Sequence, residues 1–173
     1  DVDELLKRVE DEVRRSKEES EKLRKEVRKE VEDSAKTSKD LIDDARRTVE
    51  EVIKKVKGRD VIEELKERIE RLEKTVRDSD KELRERIREL EREIEESNRR
   101  LEEDIKRIKK VIKDGADVDT VVERIRKLVK ENSDRVREVV DTIKKLVEEN
   151  VREVRRLVEE IKRLVEEVKR REE

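Results

Sequence analysis

Residues 56–65 read VKGRDVIEEL, and residues 112–121 read IKDGADVDTV. These two stretches hold the only glycines of the 173-residue chain, Gly58 and Gly115, and each glycine follows a long run of helically spaced apolar residues. Glycine is favoured just after a helix, where the backbone takes the left-handed conformation. The two stretches therefore predict two tight loops that divide the chain into three helical segments.

An Asp-Val pair stands at the start of each segment, with the aspartates at Asp1, Asp60 and Asp117. Aspartate is a favoured N-cap because its carboxylate accepts hydrogen bonds from the free backbone N–H groups of the first helical turn. A glutamate three residues after Asp1 and Asp60 also fits the spacing of a capping box. We therefore expect these three aspartates to begin the helices.

The helices are predicted near 2–57, 61–113 and 118–173, within a single domain that covers 1–173. Connections this short place consecutive helices side by side and antiparallel. The predicted fold class is all-α: an elongated antiparallel up-down-up three-helix bundle.

The apolar positions of every helix repeat after eighteen residues, which corresponds to five turns of 3.6 residues. Representative series are Leu5, Leu23 and Leu41; Ile69, Ile87 and Ile105; Ile125, Ile143 and Ile161. A seven-residue repeat produces a left-handed coiled coil, and an eleven-residue repeat produces a right-handed one. Because the eighteen-residue repeat matches a straight helix, the bundle is expected to be nearly untwisted.

The composition is unusual, because 60% of the residues are charged and only 30% are apolar. Ordinary domains contain about 25% charged residues. Valine, leucine and isoleucine nevertheless make up 49 of the 173 residues, and the net charge is only −2. Disordered chains combine fewer such residues with a large net charge. The apolar residues therefore suffice for a core if the helices bury them together.

Several kinds of function lack their usual residues. The chain has no cysteine, histidine or aromatic residue, so the common zinc ligands, a thiolate nucleophile and base-stacking side chains are missing. Positive and negative charges alternate along each helix, without the basic face of a nucleic-acid-binding protein. No run of about 18 apolar residues suggests a transmembrane helix. We expect no enzyme activity, cofactor, metal, nucleic acid or membrane partner.

Polar residues interrupt the apolar stripes at two levels, eighteen residues apart. Folding at the loops predicts a first level of Ser20, Ser97, Asn98, Asn132 and Ser133, and a second level of Thr37, Ser38, Ser79 and Asn150. Ser16, Ser34 and Thr75 lie in or beside the same stripes. An unpartnered buried polar group costs about 1–3 kcal/mol, so coincident levels predict buried hydrogen-bond networks that fix helix register. A polar small-molecule pocket is the alternative, although no aromatic or ionisable side chain converges there.

The third helix has a wider apolar stripe than the second. The additional width comes from a valine ladder formed by Val122, Val129, Val140, Val147, Val151, Val158 and Val165. One interpretation is uneven packing inside a three-helix core. The other is an association face that receives a second copy of the chain or an additional helix, because large apolar patches usually mark association.

Taken together, the Asp-Val helix starts, the minimal GRD and GAD loops, the eighteen-residue repeat and the layered Ser and Asn positions resemble a computationally designed (de novo) straight three-helix bundle with buried hydrogen-bond networks. The resemblance covers the whole chain and implies a stable scaffold without natural biochemical function, soluble and recombinantly produced, with no targeting signal. Two alternatives stay open. One is a helix-recruiting module or homo-oligomeric assembly component, and the other is a natural stress or lipid-surface helix protein, which would more often show aromatic anchors or a basic face.

Overall fold

The computed structural model describes residues 2–115 and 117–172, apart from the side chain of Val2. These residues form three α-helices without a strand: α1 (Val2–Lys55), α2 (Arg59–Lys113) and α3 (Val118–Glu172), packed against each other. The predicted all-α three-helix bundle is confirmed. Asp1, the predicted N-cap of the first helix, and Glu173, the predicted last residue of the third helix, lie outside the described residues.

The helices are long because the sequence contains no proline and is rich in Glu, Lys, Arg and Leu, which all favour helix. Their ends also carry favourable charges. The first turn of α1 contains Asp3 and Glu4, and its last turn contains Lys54 and Lys55. Acidic groups near a helix N-terminus and basic groups near a C-terminus interact favourably with the helix dipole.

The first loop differs from the prediction at two residues. Gly58 does not have a positive φ, since Gly115 is the one such glycine in the part of the chain that the structure describes. The Gly58 carbonyl accepts a hydrogen bond of 3.2 Å from the backbone N of Ile62, so Gly58 takes the N-cap position and α2 begins at Arg59. Asp60 therefore lies inside the first turn and not at the N-cap, because α2 starts at Arg59, two residues before the predicted start at Val61.

The second loop agrees with the prediction. Gly115 has a φ of 95°, and its backbone N donates to the carbonyl of Ile112 at 3.1 Å, which tightens the end of α2. Asp117 is the N-cap of α3, because its carbonyl accepts a hydrogen bond of 3.2 Å from the N of Val121. Its carboxylate also accepts a hydrogen bond of 2.9 Å from the hydroxyl of Thr120.

The contacts group the described residues into two compact units, each containing a segment of all three helices. The first unit holds residues 2–28 and 87–144, without residue 116, and the second holds 29–86 and 145–172. The core of the first unit includes Val9, Leu101, Ile105, Ile108, Val121, Val122 and Ile125. The core of the second unit includes Ala45, Val49, Leu65, Leu72, Val154, Val158, Ile161 and Val165.

Ion pairs in the first unit give the direction of its helices. Glu10 pairs with Lys109 at 2.6 Å and Arg24 pairs with Glu95 at 3.0 Å, so positions on α2 fall as those on α1 rise. These two helix segments are therefore antiparallel. Glu19 of α1 pairs with Arg137 of α3, and Glu12 pairs with Arg126 in the same order, so those two segments are parallel.

The valine ladder of α3 packs inside the two units. Val122 and Val140 are buried in the first unit, and Val147, Val158 and Val165 are buried in the second. Val129 and Val151 are half-buried. The burial of these five members favours the first interpretation of the ladder, uneven packing inside a three-helix core. Among the side chains that the structure describes, the exposed large hydrophobic one is Val111, near the end of α2.

None of the described helices contains a stretch long and apolar enough to cross a membrane.

Candidate functional site

Six polar side chains meet inside the first unit, two from each helix: Ser16 and Ser20, Ser97 and Asn98, Asn132 and Ser133. The serines of α1 are one turn apart and share one face, whereas the other pairs are consecutive and point to two neighbouring helices. Ser16, Ser20 and Asn132 are buried, and the other three are half-buried.

A chain of hydrogen bonds joins four of these residues across all three helices, and we call it the first polar network. The Nδ2 of Asn98 donates to Oγ of Ser20 at 3.3 Å, and the Nδ2 of Asn132 donates to Oδ1 of Asn98 at 2.9 Å. The Oγ of Ser97 donates to Oδ1 of Asn132. The network thus runs from α1 through α2 to α3 and back to α2.

Ser16 and Ser133 form a separate contact beside this network, with their hydroxyls sharing a hydrogen bond of 2.9 Å. The two bonded sets contain every residue of the predicted first level, with Ser16 added. These bonds connect residues that are far apart in sequence. Which residues can bond to each other therefore depends on how the helices are aligned.

The second polar level, in the second unit, is less complete. The Oγ of Ser79 donates to Oδ1 of Asn150 at 2.7 Å, which joins α2 to α3. Ser34 is buried and Thr37 is half-buried on α1. Ser38 is buried as well, but its Oγ has no hydrogen-bond partner among the described residues. The structure therefore does not bring α1 into this network through Ser38.

Thr75 does not belong to the buried polar level, because its side chain is exposed. It directly precedes the buried Val76, and one residue turns the side-chain direction by about 100° around a helix. The prediction for Thr75 is wrong because its position on the flank of the stripe points it towards solvent.

A groove between α1 and α2 in the second unit lies at the second polar level, where the sequence left a polar small-molecule pocket as the alternative interpretation. Its volume is about 650 Å³. The polar residues Ser38 and Asn150 line it, together with the apolar residues Ala35, Ile42 and Val76. The signal in the sequence is the small size of Ala35 and Ser38, whose counterparts one repeat later, Ile53 and Val56, are larger. Small side chains leave space between packed helices.

The charged residues near these sites lie on exposed helical faces. A hydrogen bond from Lys17 lowers the pKa of Glu102, and a hydrogen bond from Lys109 lowers the pKa of Glu10. For a basic group the shift has the opposite direction: the hydrogen bond to Glu73 raises the pKa of Arg46. These shifts come from pairs between helices that favour the charged forms.

The polar networks themselves consist of hydroxyls and amides, which neither gain nor lose protons near neutral pH. They therefore supply no general acid or base. Within residues 2–115 and 117–172, no three acidic, histidine or cysteine side chains form a group that could hold a metal ion. The chemistry available to these sites is hydrogen bonding.

Comparison of the chain with known protein families, with curated proteins and with solved structures finds no match.

Proposed function

We propose that the chain is a structural scaffold: a computationally designed helical bundle whose buried polar networks fix the alignment of its helices, without catalytic activity. The observation that carries the proposal is the first polar network, in which Ser20, Asn98, Asn132 and Ser97 connect three helices through side chains alone.

The network favours one alignment because each of its bonds requires a particular pair of residues. Ser97 lies between the buried Ile94 and Leu101 on α2. If α3 shifted by one turn, Asn132 would face one of these apolar side chains, and its amide would lose its partners. An unsatisfied buried amide costs about 1–3 kcal/mol, and the residues left behind would add to this cost. Buried asparagine specifies register in coiled coils by the same principle.

Agreement between several features supports a designed origin. The eighteen-residue repeat, the Asp117 N-cap, the Gly115 loop and the polar network all favour the same three-helix arrangement. Such consistency from local geometry to core packing is a criterion of design.

The alternative function, recruitment of a helix or of a second copy through the valine ladder, has less support. Val158 and Val165 are almost fully buried in the core of the second unit, and Val140 is almost fully buried as well. Association through these side chains would require the helices of a unit to separate first.

The proposal is tested by removing the first polar network as a whole. In the variant, Ser20 and Ser97 become Ala, and Asn98 and Asn132 become Leu. Replacing both partners of a buried hydrogen bond with apolar groups is often neutral or stabilising, so we expect the midpoint of guanidinium unfolding to stay or rise. We also expect the ¹H–¹⁵N NMR spectrum to show more than one signal for many residues, because several alignments become similar in energy.

The matched control replaces Ser16 and Ser133 with Ala. This pair connects only α1 and α3, so the control should retain one signal for each residue. A single sharp set of signals from the network-free variant would show that the network is not needed for alignment, and the proposed role would be wrong.

A further inference from the structure

Ser38 is an unusual buried serine. Ser38 is only 6% exposed, and its Oγ has no hydrogen-bond partner among the described residues. Ser20 occupies the equivalent position of the preceding repeat, is buried to the same extent and accepts a hydrogen bond from Asn98. A buried hydroxyl without a partner is unfavourable, and such groups in a folded protein call for an explanation.

The space next to Ser38 is large enough for a small molecule. The groove that Ser38 lines has a volume of about 650 Å³, within the range of roughly 300–1,000 Å³ that is usual for ligand pockets. Ala35, Ile42 and Val76 provide its apolar walls. A single water molecule would leave these walls largely uncovered.

The polar groups of the groove favour a ligand with acceptor oxygens. The Oδ1 of Asn150 already accepts a hydrogen bond of 2.7 Å from Ser79, so Asn150 contributes the N–H donors of its amide. The Oγ of Ser38 is buried, and a rotation about its χ1 angle turns the hydroxyl towards the groove, where it can donate as well. Two donors that line one groove match the two oxygens of a carboxylate.

The charges at the rim favour an anion. Five basic and three acidic side chains line the groove: Lys36, Lys39, Arg46, Arg77 and Arg84, with Asp43, Glu73 and Asp80. Glu73 is hydrogen-bonded to Arg46, and Asp80 pairs with Arg84 at 3.0 Å. Within each pair, the positive and negative charges largely cancel. The remaining rim charges are two lysines and one arginine against one aspartate, which produces a positive local field.

We propose that this groove is a binding site for a small carboxylate with a short aliphatic chain. The carboxylate accepts hydrogen bonds from Ser38 Oγ and Asn150 Nδ2, and the chain packs on Ala35, Ile42 and Val76. The positive rim distinguishes the carboxylate from a neutral or cationic molecule of the same length.

The test uses the full chain and three probes of equal length: hexanoate, hexanol and hexylammonium. The side-chain amide signals of the three asparagines in the ¹H–¹⁵N NMR spectrum report the position of binding. We expect hexanoate to shift the Asn150 signals and leave those of Asn98 and Asn132 in place. Hexanol should bind at least about ten-fold more weakly, and hexylammonium should produce no shift. Unchanged Asn150 signals with millimolar hexanoate, or equal effects of all three probes, would overturn the proposal.

Variants separate the Ser38 contact from general apolar binding. Ser38→Ala should weaken hexanoate binding at least about ten-fold, which corresponds to one hydrogen bond to a charged group. Ser34→Ala is the matched control, because Ser34 is a buried serine one turn earlier that does not line this groove. It should bind hexanoate like the original chain.

A third variant, Ile42→Glu, places a negative charge on the half-buried wall and should abolish hexanoate binding. Circular dichroism establishes that each variant remains helical. Equal affinity in Ser38→Ala and Ser34→Ala, or retained binding in Ile42→Glu, would refute the site.

Discussion

The side-chain Nδ2 of Asn132 on α3 donates a hydrogen bond of 2.9 Å to the Oδ1 of Asn98 on α2. Each asparagine then uses the other end of its amide for a further partner: Asn98 donates to Ser20, and Asn132 accepts from Ser97. Both amides are therefore engaged on two sides. This arrangement makes the pair the centre of a set of side-chain bonds that touches all three helices.

The serines Ser20 and Ser38 should respond in opposite ways to replacement by alanine. Ser20→Ala removes the acceptor of the Asn98 amide, so we expect the free energy of unfolding to fall by about 1–3 kcal/mol. Ser38→Ala removes a hydroxyl that is buried without a partner, so we expect stability to rise by about 1 kcal/mol. Guanidinium unfolding followed by circular dichroism measures both changes. Equal destabilisation by the two substitutions would contradict the difference in their bonding.

The two loop glycines form a second matched pair. Gly115 has a φ of 95°, where an L-residue is strained, so Gly115→Ala should lower stability by about 1–2 kcal/mol. Gly58 lacks a positive φ, and a Cβ atom there would meet Val61 at an ordinary distance of 3.7 Å. Gly58→Ala should therefore change stability by no more than about 0.5 kcal/mol, because the restriction of the unfolded chain is offset by the loss of a residue that is preferred over alanine at an N-cap. Thermal unfolding of the two variants tests whether Gly115, and not Gly58, needs the positive φ. A larger loss of stability in Gly58→Ala than in Gly115→Ala would contradict this.

The valine ladder can be tested by comparing Val140 with Val111, which are 1% and 49% exposed. Val140→Ala removes two buried methyl groups and should cost about 2 kcal/mol. Val111→Ala should change stability by no more than about 0.5 kcal/mol. Unfolding experiments give these values, and analytical ultracentrifugation gives the state of association. If Val140→Ala left stability intact but dissociated an oligomer, the ladder would serve association and not the core.

The pair between Lys17 and Glu102 predicts a small effect of acid. Its hydrogen bond lowers the folded-state pKa of Glu102, while the unfolded value stays at about 4.3. The stabilisation is therefore present above pH 4.3 and is lost as the pH falls through the lowered pKa. Both side chains are nearly half exposed, so solvent screening limits the effect to about 0.2–1 kcal/mol.

Unfolding of the Glu102→Gln variant between pH 7 and pH 2 measures this contribution. The substitution should lower stability at pH 7 and have no effect at the lowest pH, where Glu102 is protonated. Glu103→Gln, at the exposed neighbouring position, is the control. A loss of stability in Glu102→Gln that is the same at both pH values would rule out the ion pair as its cause.

Much of the fold could be predicted because its signals are local and repeated. The stripes and the glycine-containing stretches place the helix ends within two residues of those observed. Simple folding at the loops also predicts that Ser20 faces Asn98, and these residues are bonded. The position of a residue in its apolar stripe and the short length of the loop together determine which residues of neighbouring helices lie at the same level.

The finer errors arise where a choice depends on atomic detail. Asp60 and Gly58 could each begin α2, and the backbone carbonyl of Gly58 takes that position. Ser38 lies at the predicted level, but whether its hydroxyl reaches a partner depends on space left by small neighbours such as Ala35. The periodicity of the sequence specifies the direction in which a side chain leaves the helix. It does not specify whether that side chain is close enough to a partner to form a hydrogen bond. The width of the groove depends on the same atomic detail.

The most direct test of the first polar network is hydrogen exchange of the asparagine side-chain amides. The chain contains three asparagines and no glutamine, so its ¹H–¹⁵N spectrum has three side-chain NH₂ pairs that can be assigned by substitution. Because the Asn132 amide is buried and bonded on both sides, we predict that its protons exchange at least about ten-fold more slowly than those of free asparagine. Exchange of the Asn132 protons at the rate of free asparagine would contradict a buried network that aligns the three helices.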